Sequence, residues 1–224
     1  MTVLYEDSSL IVCVKPAGVL SQPREGKEEE SMISLLAAHF ASAGEKAIPY
    51  PVHRLDRQTG GVMVFAKTKA AAAALSQAAG GDGMKKEYLA VTEGIPAEKE
   101  AALTDLLFFD RARDKSFVVT RVRRGVHEAR LSYATRATLP PCEERPPLAL
   151  LAVRLYTGRT HQIRAQLASR RLPLYGDARY GARTRGGFGL FAASLSFPHP
   201  KDGKELCFSA LPEGLPFSLF SLEE

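Results

Sequence analysis

Three polar stretches of the sequence combine charged side chains with glycines, and each could carry chemistry. The first, residues 52–61, places Asp56 between Arg54 and Arg57, three residues after His53 and before two glycines. One carboxylate among cations can act as a nucleophile or a base, can join a metal site with the histidine, or can pin a loop by pairing with an arginine. The other two are residues 156–164 and 174–181. No stretch decides between chemistry and structure by itself.

Length and composition limit the classes of protein that could carry these stretches. The chain has 224 residues, of which 45% are hydrophobic and 25% charged, values typical of a globular protein of one to two domains. No apolar run approaches a membrane span, and residues 1–7 do not resemble an export signal. The 3 cysteines are far apart, so we expect reduced thiols in a cytoplasmic protein and no zinc site.

Positive charge is concentrated in two segments. Residues 151–185 hold eight arginines against one acid, and residues 111–130 hold seven lysines and arginines against two acids. Such clustering is the expected footprint of a polyanion, and the excess of arginine over lysine favours phosphate as the group recognised. The alternative is a solvated surface, which is what most charge runs form.

Strand-like patterns outnumber helical ones. Helices are predicted after Ser31, after Thr68 and after Thr160, each of which is placed to cap a helix N-terminus. The strands follow one another with few helices between them, which predicts an α+β fold around a mixed, largely antiparallel sheet. We expect a single domain over residues 1–224, with a sub-lobe at about 97–147.

Together the three stretches resemble the RluA family of RNA pseudouridine synthases. His53-Arg54-Leu55-Asp56 is similar to the catalytic motif of the family, and residues 158–164 and 174–181 are similar to its later blocks. Residues 6–18, 86–88 and 195–200 add further matches, in order along the chain. The chain departs from the family pattern at Gly60, at Ala165-Gln166 and at Phe191, which concerns the details of RNA contact. The resemblance implies a pseudouridine synthase catalytic fold that starts within ten residues of Met1.

The resemblance also implies a reaction: isomerisation of uridine to pseudouridine in structured RNA, without cofactor or metal. Asp56 is the implied essential residue, either as a nucleophile or as a base. Arg164 is the implied ion-pair partner of that carboxylate, and Tyr88 matches a tyrosine of the family that stacks on the flipped base. Ile163 and Leu190 are expected to supply apolar walls of the site, and Arg54 to fill the space that the flipped base leaves.

The RNA partner is expected to be transfer RNA or large-subunit ribosomal RNA, bound by a monomer. The expected phosphate contacts are four arginines: Arg159, Arg179, Arg183 and Arg185. We expect a structural role for His161, and for Asp177 the bracing of a loop or an RNA contact.

Two other functions remain open. A non-catalytic RNA-binding or ribosome-assembly factor could keep the fold and lose the reaction, although Asp56, Tyr88 and Arg164 are all present. A glycosidase acting on small nucleosides would share the sugar chemistry but would leave the arginine density of residues 151–185 unexplained.

Overall fold

A computed structural model of the protein describes residues 1–23 and 29–222, and it divides the chain into two compact units. Unit 1 comprises Met1–Lys86 and Ala192–Leu211, and unit 2 comprises Glu87–Phe191 and Pro212–Glu224. The expected single domain, with a sub-lobe at about 97–147, stays a prediction. In the part of the chain that is described, no helix is long and apolar enough to cross a membrane.

The elements are mostly strands. The strands are β1 (Thr2–Glu6), β2 (Leu10–Lys15), β3 (Tyr50–Pro51), β4 (Gly60–Ala66), β5 (Lys85–Glu93), β6 (Glu100–Asp110), β7 (Lys115–Val119), β8 (Val126–Leu139), β9 (Leu148–Leu155), β10 (Leu190–Pro198) and β11 (Glu205–Ser209). The α-helices are α1 (Met32–Ser42), α2 (Lys69–Gly80) and α3 (Gln162–Ala168). Short 3-10 turns cover Ala178–Tyr180 and Phe217–Leu219.

Two of the three predicted helix caps are confirmed. The Ser31 side chain accepts the Ser34 backbone N–H at 3.3 Å and starts α1, and Thr68 Oγ1 accepts the Ala71 N–H at 3.2 Å and starts α2. Each cap satisfies a donor that a helix N-terminus otherwise leaves unpaired. Both helices bury an apolar stripe, which includes Leu36 in α1 and Leu75 in α2.

The sheet of unit 1 follows the order β1-β2-β4-β10, with β3 beside β4 and β11 beside β10. Strands β2 and β4 are antiparallel and almost wholly buried, and their register runs from Leu10 opposite Ala66 to Lys15 opposite Gly61. This register brings the turn after β2 and the polar segment before β4 to the same edge of the sheet. That segment contains Asp56.

The sheet of unit 2 follows the order β5-β9-β8-β6-β7, with antiparallel pairing of β9 with β8, β8 with β6 and β6 with β7. From Ala129 to Ala134 of β8, buried side chains alternate with exposed or partly exposed ones, as expected of a strand with one covered face. On the buried face Leu107 and Ala129 pack with Ala165 of α3 and with Tyr180. This packing holds α3, and with it Arg164, against the sheet.

Candidate active site

The loop that carries Asp56 is clamped to the turn after β2. Ser21 Oγ accepts the Leu55 N–H and donates to the Leu55 carbonyl, both at 2.9 Å. Two residues further on, Gly18 N–H donates to the Arg57 carbonyl at 2.8 Å, and Arg57 Nε donates back to the Gly18 carbonyl at 2.9 Å. Gly18 has φ +87°, a left-handed conformation that glycine adopts without strain. Asp56 lies between the two clamps and is partly exposed.

The buried side chain of Lys15 also supports the loop that carries Asp56. Lys15 is 0% exposed, and its Nζ donates to the carbonyls of Pro16 at 2.9 Å, Val19 at 2.6 Å and Arg57 at 3.1 Å. Burial lowers the pKa of Lys15 to about 8, and the Asp56 carboxylate opposes that shift. An ammonium has three N–H donors, so these three carbonyls fix the charge next to the Asp56 loop.

His53 is a hydrogen-bond acceptor inside unit 1. Its Nε2 accepts the Val64 backbone N–H at 3.2 Å, which requires an unprotonated nitrogen there. Burial, with a smaller contribution from the Lys86 charge, lowers the pKa of His53 to about 3. The neutral ring therefore ties the Asp56 loop to β4. Within residues 1–23 and 29–222 no three His, Cys, Asp or Glu side chains are grouped as a metal site would need.

In unit 2, Arg164 forms a buried ion pair with Asp177. Its Nε donates to Asp177 Oδ2 at 2.7 Å and one Nη donates to Oδ1 at 2.9 Å, and the two side chains are 9% and 2% exposed. The guanidinium also lies over the rings of Tyr180, 4.9 Å from its centroid, and Phe188, at 5.4 Å. Asp177 thus braces the 174–189 loop to α3. The pairing of Arg164 with Asp56 that the resemblance implies stays a prediction.

The prediction that Thr160 caps α3 is wrong. The helix begins after His161, which has φ +53° and no side-chain cap, and the Thr160 carbonyl accepts Ser116 Oγ. The Gln162 side chain takes over the bracing of this turn. Its Oε1 accepts the Arg159 N–H at 3.0 Å and the Thr157 hydroxyl at 2.8 Å.

His161 has structural contacts on both sides. Its Nδ1 lies 3.2 Å from the Tyr180 hydroxyl, and its ring meets Phe109 edge-on with 6.0 Å between centroids. The Tyr180 hydroxyl also accepts the Ser116 N–H at 2.7 Å. The sequence motif contains Tyr180, but its position beneath Arg164 depends on the three-dimensional fold.

A buried carboxylate, Glu93, shapes the arginine-rich loop. Its oxygens accept the backbone N–H groups of Arg183, at 2.8 and 3.0 Å, and of Thr184, at 2.7 Å, as well as the Thr184 hydroxyl. The side chains of Arg183 and Arg185 are exposed while their backbone is fixed. Sequence reasoning missed Glu93, because an acid at the end of an apolar strand gives no signal of such a partner.

The remaining predicted site residues differ in solvent exposure. Tyr88, Ile163 and Leu190 are buried in unit 2. Exposed residues are Arg54 of unit 1 and Arg159 of unit 2, whose Nε donates to the Glu128 carbonyl at 3.0 Å.

Arg179, also exposed, forms an ion pair with Asp114 through its guanidinium. Arg54 and Asp56 thus belong to unit 1, and the other eight predicted residues belong to unit 2.

Comparison with known proteins decides the family. A profile of the family described as RNA pseudouridylate synthase matches residues 9–169. The chain belongs to the RNA pseudouridylate synthase family. The RNA pseudouridine synthase YhcT of Bacillus subtilis, itself uncharacterized, is 33% identical over 185 residues, which is 83% of this chain and 59% of that protein.

Other relatives are similar over more of their length. Ribosomal large subunit pseudouridine synthase D of Xanthomonas campestris is 33% identical over 243 residues, covering 100% of this chain and 70% of that protein. Ribosomal large subunit pseudouridine synthase D of Zymomonas mobilis is 30% identical to this chain, covering 94% of this chain and 68% of that protein.

Solved structures share the fold. Human RNA Pseudouridylate Synthase Domain Containing 1 matches with a TM-score of 0.75 at 19% identity, covering 93% of this chain and 83% of that one. Human RNA Pseudouridylate Synthase Domain Containing 4 matches with a TM-score of 0.74 at 22% identity, covering 94% and 88%. These structures confirm the predicted α+β pseudouridine synthase fold. The family profile and the named relatives confirm the predicted family and enzyme class.

Proposed function

We propose that this protein converts specific uridines of large-subunit ribosomal RNA to pseudouridine, with Asp56 as the essential residue. The observation that carries the proposal is the family motif at residues 53–56, held in a doubly clamped loop above the Lys15 ammonium. Relatives in Xanthomonas campestris and Zymomonas mobilis are named ribosomal large subunit pseudouridine synthases, which favours ribosomal over transfer RNA.

The isomerisation breaks the bond between uracil N1 and ribose C1′, rotates the uracil and joins its C5 to C1′. The C5 proton is lost and N1 gains a proton, so no group donor or redox step is needed. The Asp56 carboxylate acts on the ribose as a nucleophile or as a base. A charged carboxylate needs nearby cations when a base covers it, because loss of water disfavours the ion. Lys15 supplies one such charge, and Arg164, fixed by Asp177, is proposed as the second.

The target uridine must leave its stack before Asp56 can reach it, which costs a few kcal/mol and least in an unpaired loop. Arg54, exposed on the Asp56 loop, is proposed to fill the vacated space. Tyr88 is proposed to stack on the flipped uracil, with Ile163 and Leu190 as apolar walls. We place this reaction in the cytoplasm and assign it to a monomer.

Four exposed arginines are proposed to bind phosphates: Arg159, Arg179, Arg183 and Arg185. Because the Glu93 carboxylate fixes the backbone of Arg183 and Thr184, Arg183 and Arg185 lie on a backbone that is already ordered, so less backbone entropy is lost on binding. Alanine at Arg183 and Arg185 should weaken RNA binding. The slope of log Kd against log salt should fall by the amount that one to two phosphate contacts contribute. An unchanged slope would place the RNA elsewhere.

The direct test of the target is pseudouridine mapping in unmodified transcripts. Large-subunit ribosomal RNA and a transfer RNA pool are incubated separately with the protein, and modified positions are located by carbodiimide labelling. Pseudouridine in the ribosomal transcript supports the proposal. Pseudouridine only in transfer RNA reassigns the target, and tight binding to either RNA without modification favours the non-catalytic factor.

A further inference from the structure

The sheet of unit 2 leaves one face to solvent. Pairing of Ala102 with Ser132, Ser132 with Arg154 and Ala134 with Ala152 places these side chains on the same side of β6, β8 and β9. All five are exposed or partly exposed. On the opposite side of the same strands lie five buried side chains: Leu103, Leu131, Tyr133, Leu151 and Val153. We call this side the outer face.

A groove of about 500 Å³ runs over the outer face. Its floor includes three alanines, Ala102, Ala134 and Ala152, so a flat group can approach the sheet closely. Polar and charged side chains that could hold such a group also line the groove: Glu87, Glu100, Ser132, Arg136 and Arg154.

At two points of the outer face a guanidinium lies over an aromatic ring, one exposed and one partly exposed. Near the groove, the Arg154 guanidinium lies 5.5 Å from the centroid of Tyr156, which is 45% exposed and has its hydroxyl 3.2 Å from Ser132 Oγ. Towards the other end, Arg123 lies 4.5 Å from the centroid of Phe108. Guanidinium and aromatic planes are the surfaces on which proteins stack unpaired bases.

The charge of this face suits a polyanion. Strands β5, β6, β8 and β9 and the β7–β8 loop expose six arginines, Arg121, Arg123, Arg124, Arg130, Arg136 and Arg154, against three glutamates, Glu87, Glu100 and Glu128. Glu128 forms an ion pair with Arg130 at 3.4 Å, which leaves the excess positive. The two remaining glutamates can accept N–H groups from base edges.

The outer face lies next to Arg159, a motif arginine that is proposed above to bind phosphate. Arg159 Nε donates to the Glu128 carbonyl of β8, and the Arg130 N–H donates to Thr157 Oγ1 at 2.9 Å. The turn that carries Arg159 therefore borders the outer face, and an RNA strand bound at Arg159 can continue along β8.

We propose that the outer face of unit 2 binds an unpaired segment of the substrate RNA, continuous with the strand bound at Arg159. One base stacks on the Arg154–Tyr156 pair above the alanine floor, and the backbone runs past Arg136 and Arg154. This inference rests on the proposed function, because the ligand is the RNA that the enzyme modifies. It adds a second contact that selects RNAs with an unpaired stretch.

The test compares Tyr156→Ala with the matched control Tyr156→Phe, which keeps the ring, and with Lys201→Ala, which removes an exposed charge from the β10–β11 turn of unit 1. A fluorescent single-stranded RNA of roughly twelve nucleotides, within the usual range of site sizes, is titrated against each variant. Loss of one stacked base predicts a Kd raised about tenfold for Tyr156→Ala and nearly unchanged for both controls. Arg154→Gln provides a second variant with the same expected direction.

Photo-crosslinking supplies an independent readout. RNA that contains 4-thiouridine should crosslink to the peptide containing Arg154 and Tyr156. Kd values within twofold of wild type for both Tyr156→Ala and Arg154→Gln, or no crosslink to this peptide, overturn the inference. Crosslinking here without pseudouridine in any transcript contradicts the proposed function alone, and pseudouridine without any effect at Tyr156 contradicts this inference alone.

Discussion

Replacing Asp177 by Asn tests how much the buried Arg164–Asp177 ion pair stabilises the protein. The substitution keeps the size of the side chain but removes its charge, and the amide can accept only one of the two N–H bonds that Arg164 now donates. Its NH2 group would face the second guanidinium N–H, donor against donor. Removing one partner of a buried pair costs about 3–5 kcal/mol.

Because one hydrogen bond survives, we expect the lower end, a loss of about 3 kcal/mol in the free energy of unfolding. For a chain of this length, each kcal/mol lowers the melting temperature by about 2–4 °C, so Tm should fall by about 6–12 °C. Calorimetry measures Tm, and urea titration gives the free energy.

The matched control for this prediction is Asp82→Asn, which removes the same charge from an exposed position in the turn before β5. It should melt as wild type does. An Asp177→Asn protein that melts within 2 °C of wild type would refute the reasoning, since the pair would then contribute nothing that the neutral amide cannot replace.

Three further outcomes follow from the structure. Because the pKa of His53 is lowered to about 3, only the unfolded chain gains a proton there as pH falls below about 6.5. The free energy of unfolding should therefore drop by up to about 1.4 kcal/mol per pH unit between pH 6.5 and 3. Urea unfolding at pH 7 and 5 should show a smaller drop in this free energy for His53→Gln than for wild type. Burial raises the pKa of the Cys13 thiol to about 12, so an aromatic disulfide should label two of the three cysteines until the protein unfolds; labelling of all three in the folded protein would contradict this. At Gly176 (φ +72°) an added Cβ would lie 1.9 Å from a backbone carbonyl, whereas at Gly181 (φ +97°) it would meet nothing within 4 Å, so Gly176→Ala should lower Tm far more than Gly181→Ala; equal melting temperatures would argue against the loop conformation.

Local patterns in the sequence predicted the elements that depend on nearby residues. Ser31 and Thr68 cap helices because a hydroxyl three residues before a backbone N–H closes a local ring, whatever the fold. Thr160 has the same local pattern but fails as a cap. There the Gln162 side chain satisfies the Arg159 N–H, and Ser116 from β7 engages the Thr160 carbonyl. A contact over 44 residues of chain leaves no local signal.

The residues of the candidate site also differ in how well the sequence predicts them. The family motifs point to Asp56 and Arg164 because residue types and spacing are enough to recognise them. The groups that hold those residues are distant in sequence: Lys15 reaches the Arg57 carbonyl across 42 residues, and Glu93 accepts the Arg183 N–H across 90. Such partners are visible only once the sheets have brought the segments together.

The central claim is that Asp56 drives conversion of uridine to pseudouridine. The most direct measurement is a time course of pseudouridine formation in the unmodified ribosomal transcript with wild type, Asp56→Asn and the control Asp82→Asn, at one protein concentration. RNA affinity and Tm are measured on the same preparations. We predict no product with Asp56→Asn, unchanged Tm, RNA affinity within a few-fold of wild type, and normal turnover with Asp82→Asn. Pseudouridine formed by Asp56→Asn at the wild-type rate would contradict the account.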